Sequence, residues 1–177
     1  MGRLSVVYLT GLPASGKSTL ARGLAAALRQ RGYKVELLDS DEVRQHLAMT
    51  GSLAYTPEAR GWFYRALAYM AALLARHSVT VVVAATANRR EYRQVARAWV
   101  PDLVLVYVRC SPETCAQRDP KGLWALAREG KIRNFPGVDA PYEEPEDADI
   151  VVDTETQGPE EALAHLLRAL LAKANGV

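Results

Sequence analysis

The sequence is poor in every feature that would place it outside the ordinary globular class. It has only two cysteines, Cys110 and Cys115, among 177 residues. So sparse a pair builds no disulfide scaffold, and no Cys/His group has zinc-ligand spacing. Both are expected as reduced, buried thiols. No stretch approaches the ~20 apolar residues of a membrane span. The apolar run 4–9 is short and leads straight into a glycine turn, so no signal peptide is expected and a cytoplasmic location is the default. An excess of one charge sign is also missing: 22 basic residues face 20 acidic ones, for a net charge of +2. That balance argues against nucleic acid as the main partner, so any anion site must come from local placement of Arg and Lys. Repeats, linkers and low-complexity tracts are absent, and the length suits a single domain over 1–177.

What is present is a rhythm. Five short apolar runs stand at 4–9 (LSVVYL), 34–38 (KVELL), 79–84 (VTVVVA), 103–108 (LVLVYV) and 149–153 (DIVVD). They barely alternate, as strands buried on both faces of a parallel sheet do. Helical stripes lie between them: Leu20, Leu24 and Leu28; then Trp62, Ala66, Leu67, Met70, Leu73 and Leu74; then Tyr92, Val95 and Trp99; last Leu163, Leu166, Leu167, Leu170 and Leu171. Strand alternating with helix predicts an α/β fold with a five-stranded parallel sheet between helical layers. The order of the strands in space stays open. Residues 119–145 break the rhythm with Pro120, Pro136, Pro141, Pro145 and dense charge. A segment this long inside a compact domain reads as a functional lid.

The run Gly11-Leu12-Pro13-Ala14-Ser15-Gly16-Lys17-Ser18, followed by Thr19, fits G-x-x-x-x-G-K-[ST] between a strand and a helix. Glycines let such a loop turn tightly, so that backbone N–H groups converge on phosphate oxygens. The helix start adds unpaired donors and a positive dipole end. Lys17 is expected to reach the β- and γ-phosphates of ATP, and the Ser18 hydroxyl to bind Mg²⁺. A guanine-reading NKxD is absent, and there is only one domain's worth of chain, which disfavours GTPases and motor or transporter ATPases. A phosphotransferase for a small acceptor fits best.

The second strand runs into Asp39-Ser40-Asp41-Glu42-Val43-Arg44. Carboxylates at the carboxyl end of a parallel strand sit where ligands bind. Asp39 and Asp41, two apart, would share a face in extended chain. One could hold Mg²⁺ through water and the other could accept a hydroxyl proton. Alternatively, Asp41 could simply cap the helix that follows. Arg44 could pair with an anionic substrate.

Gln117-Arg118-Asp119-Pro120-Lys121-Gly122-Leu123 and the run 135–143 (FPGVDAPYE) resemble the lid signature of adenylylsulfate kinases. The phosphate loop and the LDSDEVR segment are similar to the same family's, over roughly residues 4–170. The resemblance implies a three-layer P-loop kinase fold, commonly a homodimer. It also implies transfer of the ATP γ-phosphoryl, with Mg²⁺, to the 3′-hydroxyl of adenylyl sulfate. By the same resemblance Asp41 is the proton acceptor, Arg44 and Arg60 contact the substrate anion, and Tyr55 and Phe135 sandwich its adenine. Arg118 and Lys121 match lid positions that reach ATP. The sequence departs from the family at several points: Phe63 stands for a usual asparagine, Ala59 for an aspartate, Ser40 for a glycine, and Ala87 and Asn88 for a serine and a proline. Phe63 removes a polar substrate contact and Ala87 excludes a phosphoserine. These departures keep two alternatives in view: a kinase for another small hydroxyl compound, and a non-catalytic nucleotide-binding regulator.

Overall fold

A computed structural model describes residues 4–176. The five apolar runs become β1 (Val6–Thr10), β2 (Val35–Asp39), β3 (Thr80–Ala84), β4 (Val104–Arg109) and β5 (Ile150–Asp153). They form one parallel sheet in the order β2-β3-β1-β4-β5. The central strands β1 and β3 are buried at every position, whereas the edge strands β2 and β5 are partly exposed. Continuous hydrophobicity thus marks the centre of the sheet, where helices cover both faces.

The helices are α1 (Lys17–Gln30), α2 (Ser40–His46), α3 (Pro57–Arg76), α4 (Arg90–Trp99), α5 (Pro112–Arg118), α6 (Leu123–Arg128) and α7 (Pro159–Ala174). Val7 and Leu9 of β1 face a layer built by Leu24 and Leu28 of α1 and Leu166 and Leu170 of α7. Val6 and Tyr8 face the other way, onto Phe63, Leu67 and Ala71 of α3 and Tyr92 and Ala96 of α4. Three layers result. Burying each of these leucines contributes about 1.5–3 kcal/mol.

The α3 stripe read from the sequence is corrected here. Trp62 and Leu73 are exposed, at 62% and 41%, and the buried face carries Phe63, Tyr64, Leu67, Ala68, Ala71, Ala72 and Ala75. The helix is apolar on two sides, and its core side is written in small alanines that weigh little against a tryptophan. Trp99 of α4 is likewise 38% exposed and meets the Tyr69 ring edge-on. Both cysteines are free and buried.

Register sets the floor of the site. Asp39 lies opposite Ala84, and Ala84 opposite Leu9. Three adjacent strands therefore end level, and the loops that follow them open on one edge. This is the carboxyl edge, where open α/β sheets bind ligands.

Candidate active site

Thr10 ends β1 and Lys17 begins α1, so residues 11–16 form the loop between them. The loop is too tight for side chains at key points. A Cβ on Gly11 would stand 2.4 Å from the Val108 oxygen, deep inside contact distance. Ser15 N–H donates to the Leu12 oxygen at 3.1 Å, closing the turn. Lys17 folds back across it, with Nζ donating to the Leu12 oxygen at 2.7 Å and to Ser15 Oγ at 3.4 Å. Lys17 is buried, and burial pulls its amine down to about 8, against the opposing field of Asp41 and Asp39. A buried cation satisfied only by neutral oxygens favours an anion beside it. Ser18 stands partly exposed in the first turn of α1.

The second strand delivers its two carboxylates differently from the sequence reading. α2 starts at Ser40, immediately after the strand, so Asp39 and Asp41 do not share a strand face. Asp39 is the cap: its carboxylate accepts the Asp41 N–H at 3.0 Å. Asp41 is thereby released from capping, and its side chain is 56% exposed in the first helical turn. It pairs with Lys121 of segment 119–145, Nζ to carboxylate oxygen, at 2.8 Å, and this bond raises the Lys121 amine. Ser40 is buried in the turn between them.

Arg44, one turn on, is 4% exposed. Its Nη1 donates to the Ala54 oxygen at 3.0 Å, and its Nη2 is buried without a partner. Tyr55 follows from a short 3-10 turn (Ser52–Tyr55), and its ring lies 4.8 Å from the Arg44 guanidinium carbon and 5.6 Å from that of Arg60. Arg60 is buried in α3, and desolvation lowers its pKa. Among the described residues no carboxylate pairs with Arg44 or Arg60. Two buried guanidinium groups without a counter-ion make an anion-seeking wall. Arg60 also lines a cavity of about 130 Å³ together with Asn88, Arg89, Tyr92, Asn134 and Pro141.

The segment 119–145 is not one loose loop. It contains α6, and it is fixed at both ends. Trp124 of α6 donates from Nε1 to the Pro13 oxygen of the phosphate loop at 2.9 Å. Its ring packs with Leu12, Cys110, Cys115 and Phe135 in a small separate core. Gly137 lets the returning chain cross this ring, since a Cβ there would stand 2.6 Å from it. Further on, Asn88 Nδ2 donates to the Pro141 oxygen at 2.8 Å, and Arg93 Nη2 to the Glu143 oxygen at 2.6 Å. Tyr142 meets Thr10, hydroxyl to hydroxyl, at 2.9 Å. Asn88, noted in the sequence only as a departure, is therefore an anchor of segment 119–145, and Ala87 beside it is buried with a φ of 38°.

The expected residues thus divide. Lys17, Ser18, Asp39, Asp41, Arg44, Tyr55, Arg60 and Lys121 gather at the carboxyl edge. Phe135 does not face Tyr55; it meets Trp124 edge-on, with centroids 5.2 Å apart. Arg118 turns to the loop after β5, with Nη2 donating to the Thr154 oxygen at 2.5 Å. Thr154 in turn donates to the Ser15 oxygen at 2.6 Å. Sequence reasoning missed the supporting roles of Trp124, Asn88 and Thr154. Trp124, an aromatic inside a proline- and charge-rich segment, was the one available signal.

The family model described as adenylylsulphate kinase matches residues 3–153. The adenylyl-sulfate kinase of Chloroflexus aurantiacus is 42% identical over 165 residues, which cover 93% of this chain and 88% of that protein. A probable bifunctional SAT/APS kinase 2 of Sorangium cellulosum is 43% identical over 165 residues, 93% of this chain but 28% of that larger protein. The structure of a Mycobacterium tuberculosis APS kinase in complex with AMPPNP and APS superposes with a TM-score of 0.88 at 32% identity, covering 97% of this chain and 99% of that one. These matches run along nearly the whole chain, which belongs to the adenylylsulphate kinase family.

Proposed function

We propose that this chain transfers the γ-phosphoryl group of ATP to the 3′-hydroxyl of adenylyl sulfate, giving 3′-phosphoadenylyl sulfate. One observation carries the reading: a single lid is bonded to both halves of the site, through Trp124 to the phosphate loop and through Lys121 to Asp41. Phosphoryl transfer asks mainly for positioning and charge neutralisation. The loop N–H groups and Lys17 would hold the β- and γ-phosphates. Asp41 would accept the hydroxyl proton, after Lys121 lets go of it and turns to the phosphates. Arg44 and Arg60 would take the anionic end of the acceptor, and Tyr55 its base. Arg118 would reach ATP by leaving Thr154, and Phe135 would meet the base by a shift of the lid.

Magnesium fits a role shared with the nucleotide. Among the described residues no cluster of three His, Cys, Asp or Glu side chains could hold a metal alone. One hydroxyl, from Ser18, beside a phosphate cradle suits an ion that keeps its waters and binds chiefly to phosphates. Its chemistry, when bound, is to neutralise charge on those oxygens.

The catalytic unit is proposed as one kinase domain with its lid, working in the cytoplasm as a homodimer. No helix among the described residues is long and apolar enough to cross a membrane. The exposed rings of Trp62, Tyr69 and Trp99, with Leu73, give α3 and α4 an apolar face that a second copy would cover. Trp62→Glu should shift sedimentation to the monomer; an unchanged profile would remove this face from the interface.

The decisive experiment is a coupled ADP-release assay against a panel of hydroxyl acceptors. Release with adenylyl sulfate alone supports the proposal. Release only with a sugar, nucleoside or other compound would move the chain to that acceptor, and no release with any would make it a nucleotide binder.

A further inference from the structure

We infer that Phe63 is a positioning residue for the acceptor: its aromatic face is the platform that aims the Arg44 guanidinium. The inference rests on the reading of Arg44 as an acceptor contact, and adds to it how that arginine is held.

The Arg44 guanidinium carbon lies 3.8 Å from the Phe63 ring centroid, close to van der Waals contact. The Tyr55 ring is at 4.8 Å and the Tyr64 ring at 5.7 Å. A guanidinium is planar and weakly hydrated, so aromatic faces hold it well, and more so when water is excluded. Here water is excluded: Arg44 is 4% exposed and Phe63 is fully buried. The Phe63 ring is itself braced. Tyr64 meets it edge-on at 5.4 Å, and Tyr64 in turn packs against Tyr92 at 4.9 Å.

The alternative way to fix a buried arginine is a carboxylate. That would also cancel its charge. The described residues provide no such partner; they provide rings, plus one backbone oxygen at Nη1. Rings orient the cation and leave its charge available, and Nη2 stays buried and unpartnered. An unmet donor of this kind costs free energy until a ligand oxygen meets it. Phe63 stands where the family resemblance leads one to expect asparagine. An asparagine could hydrogen-bond directly to a ligand. Phenylalanine has no polar atom, so any contribution it makes to the acceptor runs through the face it shows to Arg44.

The test replaces Phe63 site-specifically with 3,4,5-trifluorophenylalanine, which drains the π-face while nearly keeping the ring's shape. The KM for adenylyl sulfate should rise about three- to tenfold. The KM for ATP and the melting temperature should stay as in the parent. In an Arg44→Gln background the same fluorination should leave the acceptor KM unmoved. Phe63→Leu, which removes the face but keeps an apolar filler, should move the acceptor KM in the same direction and further. An acceptor KM untouched by fluorination would overturn the inference. So would equal rises in both KM values, or a rise that persists without Arg44, since either marks a mere core filler. Turnover of adenylyl sulfate by the parent enzyme bears on the proposed function alone. Should another anionic acceptor be the one turned over, the same series is scored on its KM.

Discussion

The two halves of the site are built from different materials. The phosphate loop is made of backbone: glycine space at Gly11, a closed turn from Ser15 to Leu12, and the open N-terminus of α1. Only Lys17 and Ser18 contribute side chains to the proposed chemistry. The wall proposed to take the acceptor is made of side chains: Arg44, Arg60, Tyr55, Phe63 and the Asp41 carboxylate. A backbone cradle recognises phosphate, which is the same in every nucleotide. A wall of side chains would recognise an acceptor by its own shape and charge. Of the residues singled out in the sequence as departures, Ser40 and Phe63 lie beside Asp41 and Arg44, whereas Asn88 fastens segment 119–145.

The comparison can be broken at its strongest point first. Lys17→Ala should lower kcat by about 10³-fold or more, whatever the acceptor, because charge on the transferring phosphoryl is left uncompensated. Near-normal activity would overturn the phosphate-loop assignment. On the acceptor side, Asp41→Asn should lower kcat by roughly 10²-fold if the carboxylate takes the hydroxyl proton. A rise in KM alone would make Asp41 a binding group. Trp124→Phe tests the lid between the halves. It keeps most of the apolar packing and loses the bond to the Pro13 oxygen, so the KM for ATP should rise about fivefold, in line with one lost hydrogen bond of ~1 kcal/mol. A larger change in the acceptor KM than in the ATP KM would place Trp124 on the wrong half.

The smallest effect is with pH. Burial lowers the Lys17 amine from 10.5 to about 8. Between these values the unfolded chain holds a proton that the folded chain has released. Unliganded stability therefore gains from this group as pH rises from about 8 to 10.5. Bound phosphates favour the charged amine, so ATP binding at pH 8.5–9 should take up a proton, and affinity should fall by up to about threefold across that range. Calorimetry in two buffers of different ionisation enthalpy reads the uptake. Zero uptake would mean that Lys17 stays charged in the empty loop.

Much of this was legible in the sequence. The strands follow from runs such as 79–84, because a centre strand is apolar on both faces. The phosphate loop is legible because one short stretch of backbone makes it. The acceptor side is legible only in parts. Asp39 and Asp41 are two apart, which reads as a shared strand face, yet the helix begins between them and turns Asp39 into its cap. In α3 the apolar pattern points to Trp62, while Phe63 next to it is the buried one. The bond from Trp124 to Pro13 spans 111 residues, and no local pattern encodes a contact at that range.

Beside the Lys121–Asp41 and Tyr142–Thr10 side-chain pairs, the bonds around segment 119–145 include a group with one chemical asymmetry. Trp124, Asn88 and Arg93 each donate from a side chain, and Pro13, Pro141, Ala87 and Glu143 each receive with a main-chain oxygen. A main-chain oxygen is present whichever amino acid occupies the position. A receiving position is thus free to drift in sequence wherever its side chain makes no bond of its own and its backbone path is kept. For these bonds the sequence constraint falls on the three donors; because the Glu143 carboxylate also accepts the Arg90 N–H and Ala87 is buried at a φ of 38°, a variant library should tolerate change at the exposed Pro141 far better than at Trp124, Asn88 or Arg93.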